Sequence, residues 1–149
     1  MRTIHRDIVG AFILSSDDQV LLGKTGAGGV YQDLWVVPGG GIETGETKLE
    51  AVVREVREEV GLNISDYDIE QLEGEPTGQS EKTLKMTDET VIVEMTFYDF
   101  KVSIPKSAKD IKLSLDDDLA EAMFFPLNSL ASLRLGGATR DRFTKLGYL

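Results

Sequence analysis

The chain of 149 residues contains no cysteine and one histidine, His5. The missing thiols exclude disulfides, thiolate metal sites and a cysteine nucleophile together, and they leave the compartment unread from cysteine usage. Any Ser-His-Asp triad would have to be built on His5, near the N-terminus, where a histidine at a strand start is more often structural or exposed. Positive charge is also scarce: 26 acidic residues face 16 basic ones, for a formal net charge of −10. Duplex nucleic acid and anionic membranes need a basic footprint, so neither is expected as a main partner. A small anionic ligand stays open, but a polyanion approaching so acidic a chain needs help, most simply from a divalent cation. Long apolar runs are missing as well. IVGAFIL (Ile8–Leu14) follows Arg2, His5 and Arg6 like a short signal-peptide core. It is far shorter than the roughly 20 residues of a membrane span, and the following SSDDQV has no small-x-small cleavage pattern. The expected compartment is the cytoplasm. No repeat, low-complexity tract or linker divides the chain, so a single domain with one sizeable core is expected.

What is present reads as strands flanking one strong helix. Ile8–Ser15 is apolar and β-branched, Ser16-Asp17-Asp18 is a turn, and Val20–Lys24 follows, which predicts a hairpin. TGAGGVYQD (Thr25–Asp33) is a glycine-rich loop. Leu34–Val37 is a brief strand stopped by Pro38 and three glycines. Asp68–Glu73, Val91–Val102 and Ala122–Phe125 are further strands, the last ended by Pro126. GEPTGQSEKTLKMTDE reads as a long polar loop, in part strand, and IPKSAKDIK as a basic connection. Asn128–Leu133 suggests a helical turn and Thr139–Leu146 a last helix with Gly147 beyond it. The fold class expected is α+β, a mixed sheet with helices packed on its faces.

The strong helix is predicted at Lys48–Val60. Thr47 and Glu50 make a capping box, and Gly61 suits a left-handed C-cap. Leu49, Val52, Val53, Val56 and Val60 recur at helical spacing as an apolar stripe. The run REVREEVGL then places Glu55, Glu58 and Glu59 at i, i+3 and i+4, on one face beside that stripe. Taken alone, such a run is better explained as a solvated face with ion pairs worth about 0.3–0.5 kcal/mol each. Three carboxylates on a helix fixed by its core also form a hard-oxygen ligand set suited to Mg²⁺ or Mn²⁺, with a phosphoanhydride as the natural anionic partner. The upstream PGGGIETGE favours the second reading. Its glycines permit close backbone approach, it reads as neither ordinary strand nor helix, and it delivers the chain to a helix N-terminus.

From Gly40 the spacing is G-x5-E-x7-R-E-V-x-E-E-x-G-L, using Gly40, Glu46, Arg54, Glu55, Val56, Glu58, Glu59, Gly61 and Leu62. This resembles the Nudix box at every defining position, and LWVVPGG resembles the strand that leads into it. The resemblance implies an α/β/α sandwich and a hydrolase of nucleoside diphosphates linked to another moiety, such as a nucleoside triphosphate, ADP-ribose or a nucleotide sugar. It implies metal binding by Glu55, Glu58, Glu59 and the Gly40 carbonyl, with Mg²⁺ as cofactor and Mn²⁺ as a substitute. Arg54 would orient the glutamates and Glu46 would brace the loop.

The general base varies in position within that family, and several candidates stay open: Asp118 in LDDDLAEAMFFPL, with Asp116 and Asp117 competing; Glu94, which interrupts an apolar strand; and Glu58 or Glu59. Lys24 is a candidate phosphate ligand, Thr25 standing where arginine is common. Tyr31 is a candidate stacking platform for a base, Gly39 is an expected substrate contact, and Trp35 reads as core. Pro76, fifteen residues after Gly61, resembles a spacing associated with ADP-ribose hydrolases of the family. The resemblance also admits a homodimer, since many relatives are dimers. A domain that binds a nucleotide without cleaving it is the alternative function, and a purely structural protein with a solvated acidic helix is the third.

Overall fold

The computed structural model describes residues 1–25, 33–115 and 119–149. Strands β1 (Thr3–Leu14), β2 (Gln19–Thr25), β3 (Trp35–Val36) and β4 (Gly39–Gly41) precede helix α1 (Lys48–Val60). Strands β5 (Asp68–Gln71), β6 (Thr77–Thr83), β7 (Thr90–Ser103) and β8 (Leu119–Pro126) follow, and helix α2 (Gly137–Leu146) closes the described chain. The sheet runs β3-β2-β1-β7-β5, with β4 on β1, β6 on β7 and β8 on β2. It is mixed: β1 and β7 pair in parallel from Thr3↔Ile92 to Leu14↔Ser103, and the other pairings are antiparallel.

The long parallel ladder explains why β1 begins five residues before the expected Ile8. His5, Arg6 and Asp7 are exposed and polar, so periodicity gives no strand signal there, yet each finds a backbone partner on β7. The expected hairpin exists, with Leu14 opposite Val20, but β2 then runs along β8. Half of the expected polar loop is β6, an edge strand set by β7 rather than by its own composition. The glycine run is corrected too. Gly39–Gly41 is a strand, paired with Ile8, Val9 and Gly10. A Cβ on Gly39 would collide with the Val9 carbonyl oxygen, so only glycine lets the chain lie this close.

One apolar cluster packs α1 through Ala51, Val52, Val56 and Val60 against Val9, Ala11 and Ile13 of β1 and Phe100 and Val102 of β7. Leu49, expected in the stripe, is instead half-exposed. The opposite face of the sheet carries Phe12, Val20 and Leu22 under Phe143 of α2, whose ring meets Phe12 edge-on at 5.2 Å. The helices therefore cover both faces, the α/β/α layering of a mixed sheet. Helix α1 has the predicted bounds, its capping box is formed, and Gly61 closes it at φ 74°. Helix α2 starts two residues before the expected Thr139.

Candidate functional site

The capping box and the valines hold α1 in place, and its carboxylates are arranged around Arg54. That side chain is 16% exposed, and its five N–H donors are all engaged. Nε donates to Glu46 Oε2 at 2.6 Å and Nη2 to Glu46 Oε1 at 2.9 Å and to the Gly41 carbonyl at 3.0 Å. Nη1 donates to Glu55 Oε1 at 2.9 Å and Glu58 Oε2 at 3.2 Å. One guanidinium thus ties the β4 backbone, the loop and two helix carboxylates into a single body, the bidentate pair with Glu46 being its strongest element.

The charges follow from this. Hydrogen bonding from Arg54 pulls the Glu46 carboxyl from 4.5 down to about 2. Burial pushes the Glu55 carboxyl up, opposed by the bond from Arg54. A carboxyl depressed in the fold stabilises it above the unfolded value and loses that contribution as pH falls through the folded one. The thermal midpoints of wild type and Glu46→Gln should therefore converge as pH falls from 4.5 to about 2. A constant gap across that window would show that the Glu46–Arg54 pair adds nothing.

Gly40 lies directly against Glu55: a Cβ there would stand 2.6 Å from both carboxylate oxygens. Glu59 Oε1 accepts the Gly39 N–H at 2.9 Å. Glu58 is the most open of the three, with its side chain 53% exposed. The structure thus brings Gly39, Gly40, Arg54, Glu55, Glu58 and Glu59 together. Among the described residues, no three carboxylates converge tightly enough to form a finished cation cage. The donor set is all hard oxygen on a rigid helix, and Arg54 fixes two of the carboxylates in place by hydrogen bonding. Those features fit Mg²⁺, which binds through few carboxylates and keeps its own waters.

Gly39→Ala should break the β4–β1 pairing and misplace Glu59. The expected result is a loss of turnover of about tenfold to a hundredfold, read by steady-state kinetics. Unchanged kinetics would detach β4 from the site.

A cavity of about 310 Å³ adjoins these carboxylates. Glu59 and Gly39–Gly41 form part of its wall, Phe12, Met95 and Phe97 supply apolar surface, and Gly136 and Thr139 close it from the start of α2. Its size and mostly apolar lining suit the organic part of a small ligand. Arg6, Ser80 and Lys82 also line it, and none of them stood out in the sequence, where all three sit in polar surroundings. Asp99 and Arg142 were missed as well. Asp99 lines the cavity, and Arg142 Nε donates to its Oδ2 at 2.8 Å in a buried pair. The signal for Asp99 was legible: Val91, Val93, Met95 and Phe97 alternate along β7, and Asp99 continues their face. Burial pushes its carboxyl up, and Arg142 pulls against that.

The same alternation puts Glu94 on the opposite face of β7. It is exposed, while its neighbours Val93 and Met95 line the cavity. Lys24 is not in the cavity wall; its Nζ lies 5.4 Å from the centroid of the Trp35 ring, a cation–π arrangement. Trp35 packs edge-on to Phe125 at 4.8 Å. Pro76 is buried and precedes β6, its carbonyl accepting the Phe97 N–H at 2.9 Å. Tyr31, Asp116, Asp117 and Asp118 lie outside the described residues. No helix among the described residues is long and apolar enough to cross a membrane.

The family profile described as NUDIX domain matches residues 4–146. The RNA pyrophosphohydrolase of Hydrogenovibrio crunogenus is 42% identical over 62 residues, which is 42% of this chain and 35% of that protein. The 8-oxo-dGDP phosphatase NUDT18 of Danio rerio is 34% identical over 122 residues, 74% of this chain and 37% of that protein. The chain spans about a third of the length of these curated relatives. Among solved structures, the E. coli dihydroneopterin triphosphate pyrophosphohydrolase superposes with a TM-score of 0.73 at 17% identity, covering 95% of this chain and 96% of that one. The NUDIX domain of Shewanella oneidensis NrtR, solved with ADP ribose, gives 0.68 at 16% identity, covering 97% and 87%. At those identities the likeness concerns the fold.

Proposed function

The chain belongs to the NUDIX family, and on that footing we propose that it is a divalent-cation-dependent hydrolase. It would cleave the phosphoanhydride bond of a nucleoside diphosphate linked to another moiety, by attack of water at phosphorus. The observation that carries this reading is the Arg54-centred carboxylate set opening, through Glu59 and Gly39–Gly41, onto an apolar cavity. Acid chemistry and ligand-binding space are adjacent, as a substrate with a charged and an uncharged half requires.

Glu55, Glu58, Glu59 and the Gly40 carbonyl are the residues that would hold Mg²⁺, with Mn²⁺ as a substitute. When bound, the cation would acidify a water and offset the phosphate charge. The chain's own residues do the rest. Arg54 keeps Glu55 and Glu58 in fixed rotamers, so little reorganisation is left for the reaction. Glu58, the most open carboxylate, takes the proton of the attacking water in this reading; Glu59, Asp118 and Glu94 are the other candidates for that role. The cavity excludes water from the organic half of the substrate. Arg6 and Lys82, both on its wall, supply positive charge to an anion.

A free small nucleotide is the proposed substrate, because a net charge of −10 opposes a long polyanion. Product identification from a panel tests this: nucleoside triphosphates, ADP-ribose, nucleotide sugars and a 5′-triphosphorylated RNA oligomer, each with Mg²⁺. Cleavage of a free nucleotide at a phosphoanhydride supports the proposal. Cleavage of the RNA alone would replace the substrate class, and binding without cleavage would favour a nucleotide-sensing domain.

A further inference from the structure

The cavity carries a charged group that the proposed hydrolysis does not use. Asp99 is 4% exposed and lies in the cavity wall. Its Oδ2 accepts from Arg142 Nε at 2.8 Å. Arg142 also donates from Nη1 to the Glu73 carbonyl at 2.6 Å and from Nη2 to the Gly74 carbonyl at 3.0 Å. Among the described residues, no hydrogen bond reaches Asp99 Oδ1. That oxygen is kept uncovered by the residue facing it on β1. Gly10 is opposite Asp99 in the ladder, and a Cβ there would stand 3.1 Å from Oδ1 and 3.2 Å from Val37 Cγ2. A buried anionic acceptor with an open lone pair, inside an apolar cavity, is expensive unless a donor fills it.

We propose that Asp99 Oδ1 is the specificity-determining acceptor of the cavity, taking an N–H of an exocyclic amino group on the substrate's nucleobase. This rests on the hydrolase reading, since it assigns the cavity to the base of that substrate. An exocyclic amine is favoured over a ring N–H because the acceptor is almost fully buried in the cavity wall, close to Val37. A protruding donor reaches it, whereas a ring N–H is flanked by atoms that meet the walls first. Sites built around a buried polar group discriminate strongly against analogues lacking its partner.

The test is binding of nucleoside monophosphates by calorimetry, with Mg²⁺ present. GMP, AMP and CMP are each compared with the analogue lacking only the exocyclic amine. For at least one pair, loss of the amine should weaken binding about tenfold or more. In Asp99→Asn, Arg142 Nε–H requires the carboxamide oxygen, which turns the NH2 toward the cavity. The acceptor becomes a donor, and the preference should collapse or invert. A purely structural Asp99–Arg142 pair would instead leave the ratio at its wild-type value. If Asp99→Asn does not fold, Gly10→Ala covers Oδ1 with a methyl while keeping the ion pair, and should collapse the same ratio. No preference in the wild type, or a ratio retained in a folded variant, overturns the assignment. Turnover of the substrate panel is read in parallel. Failure of turnover would defeat the hydrolase reading, and turnover without amine preference would defeat this inference alone.

Discussion

Glu58→Gln is expected to lower product release by at least about a thousandfold, because cation-assisted charge stabilisation is worth several kcal/mol and each 1.4 kcal/mol is a factor of ten. The substitution keeps size and shape and removes one negative charge. Glu58 is half-exposed, and its contact with protein is the 3.2 Å bond from Arg54 Nη1, which a carboxamide oxygen still accepts. The fold should therefore survive, with a thermal midpoint close to wild type. Loss of activity with an intact fold separates a chemical role from a structural one. Turnover at the wild-type level would remove Glu58 from the metal set and from the proton transfer.

Arg142→Met should have the largest effect on stability, a loss of about 3–5 kcal/mol, which corresponds to a fall in thermal midpoint on the order of 10 °C. Arg142 and Asp99 have side chains 4% and 5% exposed, so removing the cation leaves an unpaired carboxylate in the core and takes away the donors to the Glu73 and Gly74 carbonyls. The loss should narrow as pH falls, since a protonated Asp99 no longer places a charge there. A double variant, Asp99→Leu with Arg142→Met, should recover part of the loss, because replacing both partners removes the unpaired charge. An Arg142→Met midpoint within a degree or two of wild type would show that the pair is solvated rather than buried.

What the sequence made legible was local. Helix α1 could be bounded to the residue because its start and stop are written in Thr47, Glu50 and Gly61, within a few positions of the ends they define. The Glu46–Arg54 contact spans eight positions, and the box motif carries it. The layout of the glycine run was not legible. Gly39–Gly41 has no strand propensity, and its pairing is imposed by β1, some thirty positions away, in a register that only a missing Cβ allows. Strand β6 is similar, a polar segment made regular by the edge of β7.

The site divides the same way. The metal-set residues share one helix and one loop, so their spacing reveals them. The cavity draws on β1, β2, β3, β4, β6, β7, Glu59 of α1 and the start of α2, and no single window of sequence contains it. Asp99 and Arg142 lie 43 positions apart and meet only because α2 packs on the far face of the sheet. Period-two reading of β7 would have singled out Asp99 as a carboxylate on an apolar face, and would have set Glu94 on the other one.

The most direct measurement is hydrolysis of the accepted nucleotide in ¹⁸O-labelled water, with Mg²⁺ and with a chelator, followed by mass analysis of the products. The expected result is one label on a phosphoryl product, formed only when the cation is present. Unlabelled phosphoryl products, equal turnover in chelator, or tight nucleotide binding without any product would contradict a cation-dependent attack of water at phosphorus.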